Sequence, residues 1–488
     1  MQKSLIDVHG VDPVDTRNYV DGTFIDGASA RIPTYDPASG EVLAEVDVAD
    51  AAVVDNAVAA ARRGLAAWSR RLPAERARCL HKVAALLRRD ADRLARLESL
   101  DAGKPLREAR GDIETSARYF EYYAGVADKL QGDSIPLGED FMSLTVKEPV
   151  GVTAHIIPWN FPLVTTARGA APALAAGCSA VIKPAEQTPL SALALARIVQ
   201  EAGLPSGAYN VVCGDGATTG SALVAHPGVD HVTFTGSVVT GKRVMRSAAD
   251  HVASVTLELG GKSPVVVLND ADIDLALAGT LKAIFTNAGQ VCSAGARLVV
   301  EEGIAERFLP ALTAATNKMH AGRGIDDPDL GPLVSLQQLN KIEQYVTTGR
   351  ARGIQALCGG ERLRVAGLEG GWFFAPTLML CPNADDPLVQ DEIFGPVLVV
   401  QVARDAAHAI ELANATSYGL VAGIYTRDVS RALRFARDVC AGQVFVNQYF
   451  AGGVETPFGG RRNSGFGREK GLAALQNYIA LKTITFKI

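Results

Sequence analysis

Residues 285 to 298, FTNAGQVCSAGARL, place Cys292 among small and polar neighbours, with glycines at 289 and 295. A thiol so flanked could reach a carbonyl, but a free cysteine is only a few per cent thiolate at neutral pH and needs a lowered pKa or a base. By residue type alone, a lone cysteine is more often an inert core residue. A base is available in TLELGGKSP, where Glu258 ends an apolar run and precedes two glycines. Desolvation there would raise its pKa towards that of a general base. In IIPWNFP, Asn160 lies between aromatics and prolines. Its amide could donate to a developing oxyanion, worth roughly 3 kcal/mol in comparable sites, although a turn asparagine reads the same way.

Further stretches bear on a nucleotide. VVCGDGATTG spaces Gly214, Gly216 and Gly220 as G-x-G-x-x-x-G, one residue longer than the dinucleotide fingerprint and equally a glycine-rich turn. FTGSVVTG, Phe234 to Gly241, runs a strand pattern into Gly236 and Ser237 before a helical one. Backbone N–H groups at a helix start suit a phosphate, and Ser237 could cap the helix with or without one. VIKPAEQTP ends a strand with Lys183 and places Glu186 three residues on. That pair could hydrogen-bond ribose hydroxyls, the carboxylate repelling a 2′-phosphate; a solvated loop pair is the plainer reading. DEIFGPV holds Glu392 and Phe394 in a turn fixed by Gly395 and Pro396.

The elements around these stretches predict an α/β protein. Residues 18–47 alternate apolar and turn residues, as short antiparallel strands do. From 51 to 130 the pattern is helical, with Leu80, Val83, Ala84 and Leu87 on one face and DAGKP at 101–105 ending one helix before the next. From 150 to 268 short apolar runs alternate with helical ones, which predicts a parallel sheet covered on both faces, of the kind that binds dinucleotides at its carboxyl edge. A second alternating region spans roughly 264–445, and NYIALKTITFKI closes the chain as an edge strand that invites pairing with another subunit.

With 488 residues, 48% hydrophobic, and a net charge of -5, the chain can bury large cores and has no basic footprint for nucleic acid or an anionic membrane. Its uncharged runs fall short of the roughly 18 to 20 residues of a membrane span, and MQKSLIDVHGVDPVD lacks the apolar core of a secretory signal. A cytosolic protein is expected. The seven cysteines are widely spaced with no C-x-x-C pair, which argues for reduced thiols and against a zinc site; no metal is expected.

Taken together, PWNFP, KPAEQTP, FTGS, LELGGKSP, GQVCSAG and EIFGPV stand in the order and rough spacing of the NAD(P)-dependent aldehyde dehydrogenase superfamily. The chain resembles that family over nearly its whole length, including the late TPFGGRRNSGFGREKG, and is most similar to its non-acylating betaine-aldehyde and broad-specificity branches. The resemblance implies a Rossmann-type cofactor domain at 1–126 and 149–257, an α/β catalytic domain at 258–447, and a small β oligomerisation element at 127–148 and 470–488. It implies a homo-oligomer, a dimer or a tetramer built from two dimers.

For the chemistry, the resemblance implies attack by Cys292 on an aldehyde, an oxyanion held by Asn160 and the Cys292 N–H, and hydrolysis of the thioester with Glu258 as base. The cofactor would be NAD rather than NADP. Its contacts would be Ile156, Pro158, Trp159, Lys183, Glu186, Phe234, Gly236, Ser237, Gly241, Leu259, Glu392 and Phe394, with Gly216 and Gly220 on the adenine side. CoA-acylating relatives generally lack the base at Glu258, so a free acid is the expected product. Phe161 would face the substrate. Arg168, eight residues after Asn160 and about two helical turns along, matches one of two arginines that hold the carboxylate in succinic semialdehyde dehydrogenases; the second position is Thr286 here. A betaine- or amino-aldehyde, a broad substrate range and a semialdehyde acid held by Arg168 all remain open, as does pairing of Arg168 with a neighbouring acid. A non-catalytic NAD-binding protein on the same fold is the rival reading.

Overall fold

The computed structural model describes residues 5–8, 11–26 and 30–488. At its centre, two sheets face different tasks. The first has eight strands, and its parallel core runs Tyr209–Val211, Ser179–Lys183, Val152–Ile156, His231–Gly236, Ser254–Leu259. The order reverses at Val152–Ile156: two crossovers add strands on one side of it, and the next two add them on the other. Helices that leave neighbouring strands in opposite directions at such a point open a crevice at the carboxyl ends, where ligands bind in doubly wound sheets. Asn18–Val20 and Thr23–Ile25 extend one edge antiparallel, as the early alternation predicts.

Strand alternation gives this sheet two unlike faces. Val232, Phe234, Leu257 and Leu259 are buried on the apolar face, while Thr233, Thr235, Thr256 and Glu258 point to the other. Against that polar face lies the helix Pro162–Ala176, since Arg168 reaches both Thr235 and Glu258. Proline at its first position suits a helix start, and Gly177 ends it with φ 99°.

The second sheet has seven strands, ordered Gln355–Cys358, Thr377–Leu380, Val397–Ala403, Arg297–Glu301, Pro264–Val267, Val421–Tyr425, Gln443–Val446, all parallel except the first. A third, three-stranded sheet pairs Ile479–Lys487 with Phe141–Pro149, and Phe141–Pro149 with Ser134–Pro136. Between these lies the late segment Gly465–Phe466, which joins the edge of the first sheet and pairs Gly465 with Glu258. Among the described residues, no helix is long and apolar enough to cross a membrane, and no group of three or more His, Cys, Asp or Glu could hold a metal ion.

Candidate active site

Cys292 is carried by a loop that the backbone alone would not choose. After the helix Ile273–Phe285, Asn287, Ala288 and Gly289 take φ values of 48°, 53° and 74°, three left-handed residues in succession. For the two with side chains this costs roughly 1–2 kcal/mol each and survives only where surroundings over-determine it. Here they do. Glu108 accepts from Asn287 N (2.9 Å), Asn287 Nδ2 donates to Asn160 O (3.1 Å), Gln290 Nε2 donates to Asn287 O (3.1 Å), and Gln290 Oε1 accepts from Val334 N (2.9 Å). Gly289 is required for space as well, since a Cβ there would lie 2.1 Å from Gly395 O.

The same network orients Asn160. Its Nδ2 donates one hydrogen to Gln290 O at 2.8 Å, and a primary amide has a second to give. Among the described residues the Cys292 N–H has no protein acceptor, so two donors remain beside the thiol. A carbonyl oxygen that gains negative charge there would find both in place.

Glu258, Arg168 and Glu469 form a buried charge cluster under the thiol. Arg168 Nε lies 2.6 Å from Glu469 Oε2, and its Nη2 lies 3.4 Å from Glu258 Oε2 and 3.2 Å from Thr235 Oγ1. Burial pushes the Glu258 carboxyl up to about 8, with Arg168 pulling it back and Glu469 adding to the rise. Burial, then the neighbouring Glu258 charge, raises the Cys292 thiol well above its ordinary value. A thiol raised in this way needs a base before it can act as a nucleophile, and Glu258 is the carboxylate beside it.

Cys292 lies on the wall of two cavities at once. One, about 180 Å³, also has Asn160, Glu258, Leu259, Glu392 and Phe394 on its walls. It leads towards the crevice predicted by the strand order, a cleft of about 650 Å³ that reaches Lys183, Glu186, Gly216, Gly220, Phe234 and Ser237. On its far side Cys292 faces a cavity of about 500 Å³ whose walls include Tyr119, Phe161, Arg168, Phe450, Phe458 and Lys470.

The cleft fits a dinucleotide in its chemistry. Lys183 is buried with its Nζ 3.2 Å from Glu186 Oε2, a donor and an acceptor side by side at a strand end. Ser237 caps the helix Val238–Ala249 through Thr240 N, so that helix opens onto the cleft. Glu392 accepts from Gly261 N at 2.9 Å, and burial pushes its carboxyl up to about 7. Phe394, itself left-handed at φ 63°, is fixed by Gln338 Nε2 donating to its carbonyl at 2.7 Å, and its ring meets that of Trp159 edge-on at 5.1 Å. Ile156, Pro158, Trp159 and Gly236 complete the same walls.

Two of the expected site residues have other contacts besides. Gly241 is not on the cleft wall; it is buried in its helix, where a Cβ would come 2.5 Å from Leu259 Cδ2. Its lack of a side chain lets the helix close on the sheet. Arg168 does reach the substrate cavity, but Glu469 and Glu258 already engage it. Spacing along one helix could not reveal partners from the edge strand and the tail. Residues that sequence reasoning passed over include Thr235, on the walls of all three spaces, Gln338 and Lys341 beside Glu392, and Tyr119, Phe450, Phe458 and Lys470 on the substrate side. For Lys470 the available sequence signal is the lysine of GREKG.

A doubly wound sheet with a ligand crevice at its carboxyl ends, a thiol beside it and an aromatic-lined cavity beyond has the architecture of a nucleotide-dependent oxidoreductase. Residues 24–484 match the aldehyde dehydrogenase family. An aldehyde dehydrogenase from Aspergillus niger is 43% identical over 474 residues, 96% of this chain and 95% of that protein. Among solved structures, a mutant form of aldehyde dehydrogenase from Bacillus cereus has a TM-score of 0.95 at 41% identity, covering 97% of this chain and 96% of its own. Betaine aldehyde dehydrogenase from Staphylococcus aureus, in complex with NAD+, has a TM-score of 0.95 at 37% identity, covering 97% of this chain and 95% of its own. The chain belongs to the aldehyde dehydrogenase family, and its activity is aldehyde oxidation.

Proposed function

We propose that the protein oxidises an aldehyde to the carboxylic acid with NAD, through an adduct on Cys292. The observation that carries this is the position of Cys292 on the shared wall between the nucleotide-side cavity and the aromatic one, with Glu258 and Asn160 beside it. Glu258 takes the thiol proton as Sγ bonds to the aldehyde carbon. The oxygen becomes an oxyanion held by Asn160 Nδ2 and the Cys292 N–H. NAD, when bound, supplies the two-electron acceptor that turns this adduct into a thioester. Glu258 gives that proton up to solvent, then takes one from water as the water attacks the thioester, and passes it to the departing sulfur, so that the acid is released and the thiol returns. In sum, aldehyde, NAD+ and water give acid, NADH and a proton.

Lys183 and Glu186 would hold the adenosine ribose, Gly236 and Ser237 the pyrophosphate, Glu392 the nicotinamide ribose, and Phe394 the edge of the ring; the cleft chemistry supports each. The carboxylate of Glu186 favours NAD over NADP. We assign 1–126 with 149–257 to the cofactor domain, 258–447 to the catalytic domain, and 127–148 with 470–488 to an oligomerisation element. The three-stranded sheet supports the last assignment, since Leu481, Phe486, Phe141 and Met142 are exposed on it. A homo-oligomer, a dimer or a pair of dimers, follows from such an apolar edge.

The test is an aldehyde panel with NAD and NADP, read as cofactor reduction. Aldehyde-dependent NADH formation by the wild type and none by Cys292→Ala is expected. Stoichiometric NAD binding without oxidation of any aldehyde would instead make this a binding protein.

A further inference from the structure

The wall of the substrate cavity carries two cations, Lys470 and Lys282, that make no ion pair among the described residues. Glu108 is occupied by Asn287 N, and Asp112 holds Lys104, as does Glu98. Glu469 and Glu258 hold Arg168. Lys470 lines the same cavity; Glu469 and Glu455 act on its ammonium from a distance, and among the described residues no carboxylate forms an ion pair with it. Lys282 stands exposed on the same wall, again without one among the described residues.

The backbone sets Lys470 there. Phe458 and Glu469 exchange N–H···O bonds of 2.6 and 2.7 Å, which fixes the tail across the cavity wall. Glu469 points to Arg168, and Lys470 follows in a left-handed conformation at φ 64°. The Phe458 ring consequently carries two protein cations, Arg168 Cζ at 5.6 Å and Lys470 Nζ at 5.5 Å from its centroid. Phe161 carries a third, Lys104 Nζ at 4.3 Å. Aromatic faces are what recognises a quaternary ammonium. Two of the rings lining this cavity are already engaged by cations of the protein, which a second cation would have to displace against their repulsion.

We infer that the protein selects aldehydes whose far end carries a carboxylate, received by Lys470, and rejects cationic aldehydes such as betaine aldehyde. This rests on the proposed reaction at Cys292 and goes beyond it by naming the substrate class. Arg168 supports the site by contributing positive field, with its Nη2 bonded to Thr235 and Glu258. Lys282 draws the anion towards the opening, as exposed like-signed charges around a cleft do.

Three aldehydes of equal chain length test the inference on the full-length protein with NAD: an ω-carboxy aldehyde, its uncharged primary amide, and betaine aldehyde. The wild type is expected to prefer the acid in kcat/KM. Lys470→Met is expected to raise KM for the acid about 10- to 100-fold, the range for losing a charged hydrogen bond, and to leave the amide within about twofold. Lys470→Arg should restore the preference. Continued turnover of the amide shows that the variants are folded. Without any substitution, a saturated dicarboxylate should inhibit amide oxidation competitively, and its diamide should not. Equal effects of Lys470→Met on acid and amide, or betaine aldehyde used as well as the acid, overturn the inference while leaving the Cys292 reaction standing. Failure of every aldehyde in the wider panel overturns the reaction itself.

Discussion

On the cofactor side of Cys292 the walls come largely from strand ends and the turns that follow them, Ile156 to Trp159, Lys183 to Glu186 and Phe234 to Ser237, joined by Glu392 to Phe394 in the turn before Val397–Ala403. On the substrate side they come from the side chains of helices and of the tail: Tyr119, Phe161 and Arg168, then Phe450, Phe458 and Lys470. The first kind of wall presents backbone groups and short contiguous motifs, which bind the common parts of a shared cofactor. The second kind presents side chains collected from distant segments, each replaceable without altering a strand end. The difference teaches that chemistry and cofactor use can be held constant in this architecture while the aldehyde changes.

The sharpest way to break that division is at the atom both sides share. Cys292→Ala is expected to lower turnover of every aldehyde by about 10³-fold or more, with NAD affinity retained, measured by initial rates and by titration of cofactor binding. Loss of NAD binding as well would mean that the thiol holds the loop together and that the two sides are not separable. Next in size, Asn160→Ala is expected to cost about 10²- to 10³-fold in kcat, the worth of one oxyanion donor. Part of any loss in stability would report the broken bond to Gln290 O, so thermal unfolding should be followed alongside.

On the cofactor side, Glu186→Ala is expected to raise KM for NAD roughly tenfold and to narrow the gap to NADP, leaving aldehyde KM unchanged. A change in aldehyde KM of the same size would erase the distinction between the walls. The smallest effect is in pH. A carboxyl raised to about 8 is protonated below that value and becomes a base above it. At saturating NAD, kcat/KM should therefore climb by up to about tenfold between pH 7 and the plateau above 8, and the climb should vanish in Glu258→Gln. A profile that falls over this range would assign the acid form, and not the base, to the reaction.

The same contrast explains what could be read without coordinates. The strand-helix alternation and the contiguous motifs near Asn160, Lys183, Ser237, Glu258 and Glu392 are local, so residue order alone brought them into view. A glycine at 241, after FTGS, suits a phosphate and also suits close packing against Leu259, and only the position of that leucine brings the second role into view. For Arg168 the helical spacing gave the right face, but its charge is answered by Glu469 from the far end of the chain. The left-handed run at Asn287 and Ala288 had only a weak sequence signal, since asparagine visits that region more readily than most residues and alanine does not. It is imposed by Glu108, Asn160 and Gln290.

One more consequence follows from the late segment that pairs Gly465 with Glu258 and delivers Glu469 and Lys470 to the cavity. A ribosome makes Cys292 and Glu258 first, and at about 5 to 20 residues per second the tail emerges on the order of 10 to 35 seconds later. Throughout that interval Arg168 lacks the counter-ion Glu469, and the open edge of the Glu258 strand has no neighbour. The nascent chain thus holds Cys292 and Glu258 before the tail that completes the cavity wall is in place. Chains arrested during translation before Gly465 are expected to reduce no NAD, while chains released after the whole tail has emerged do so.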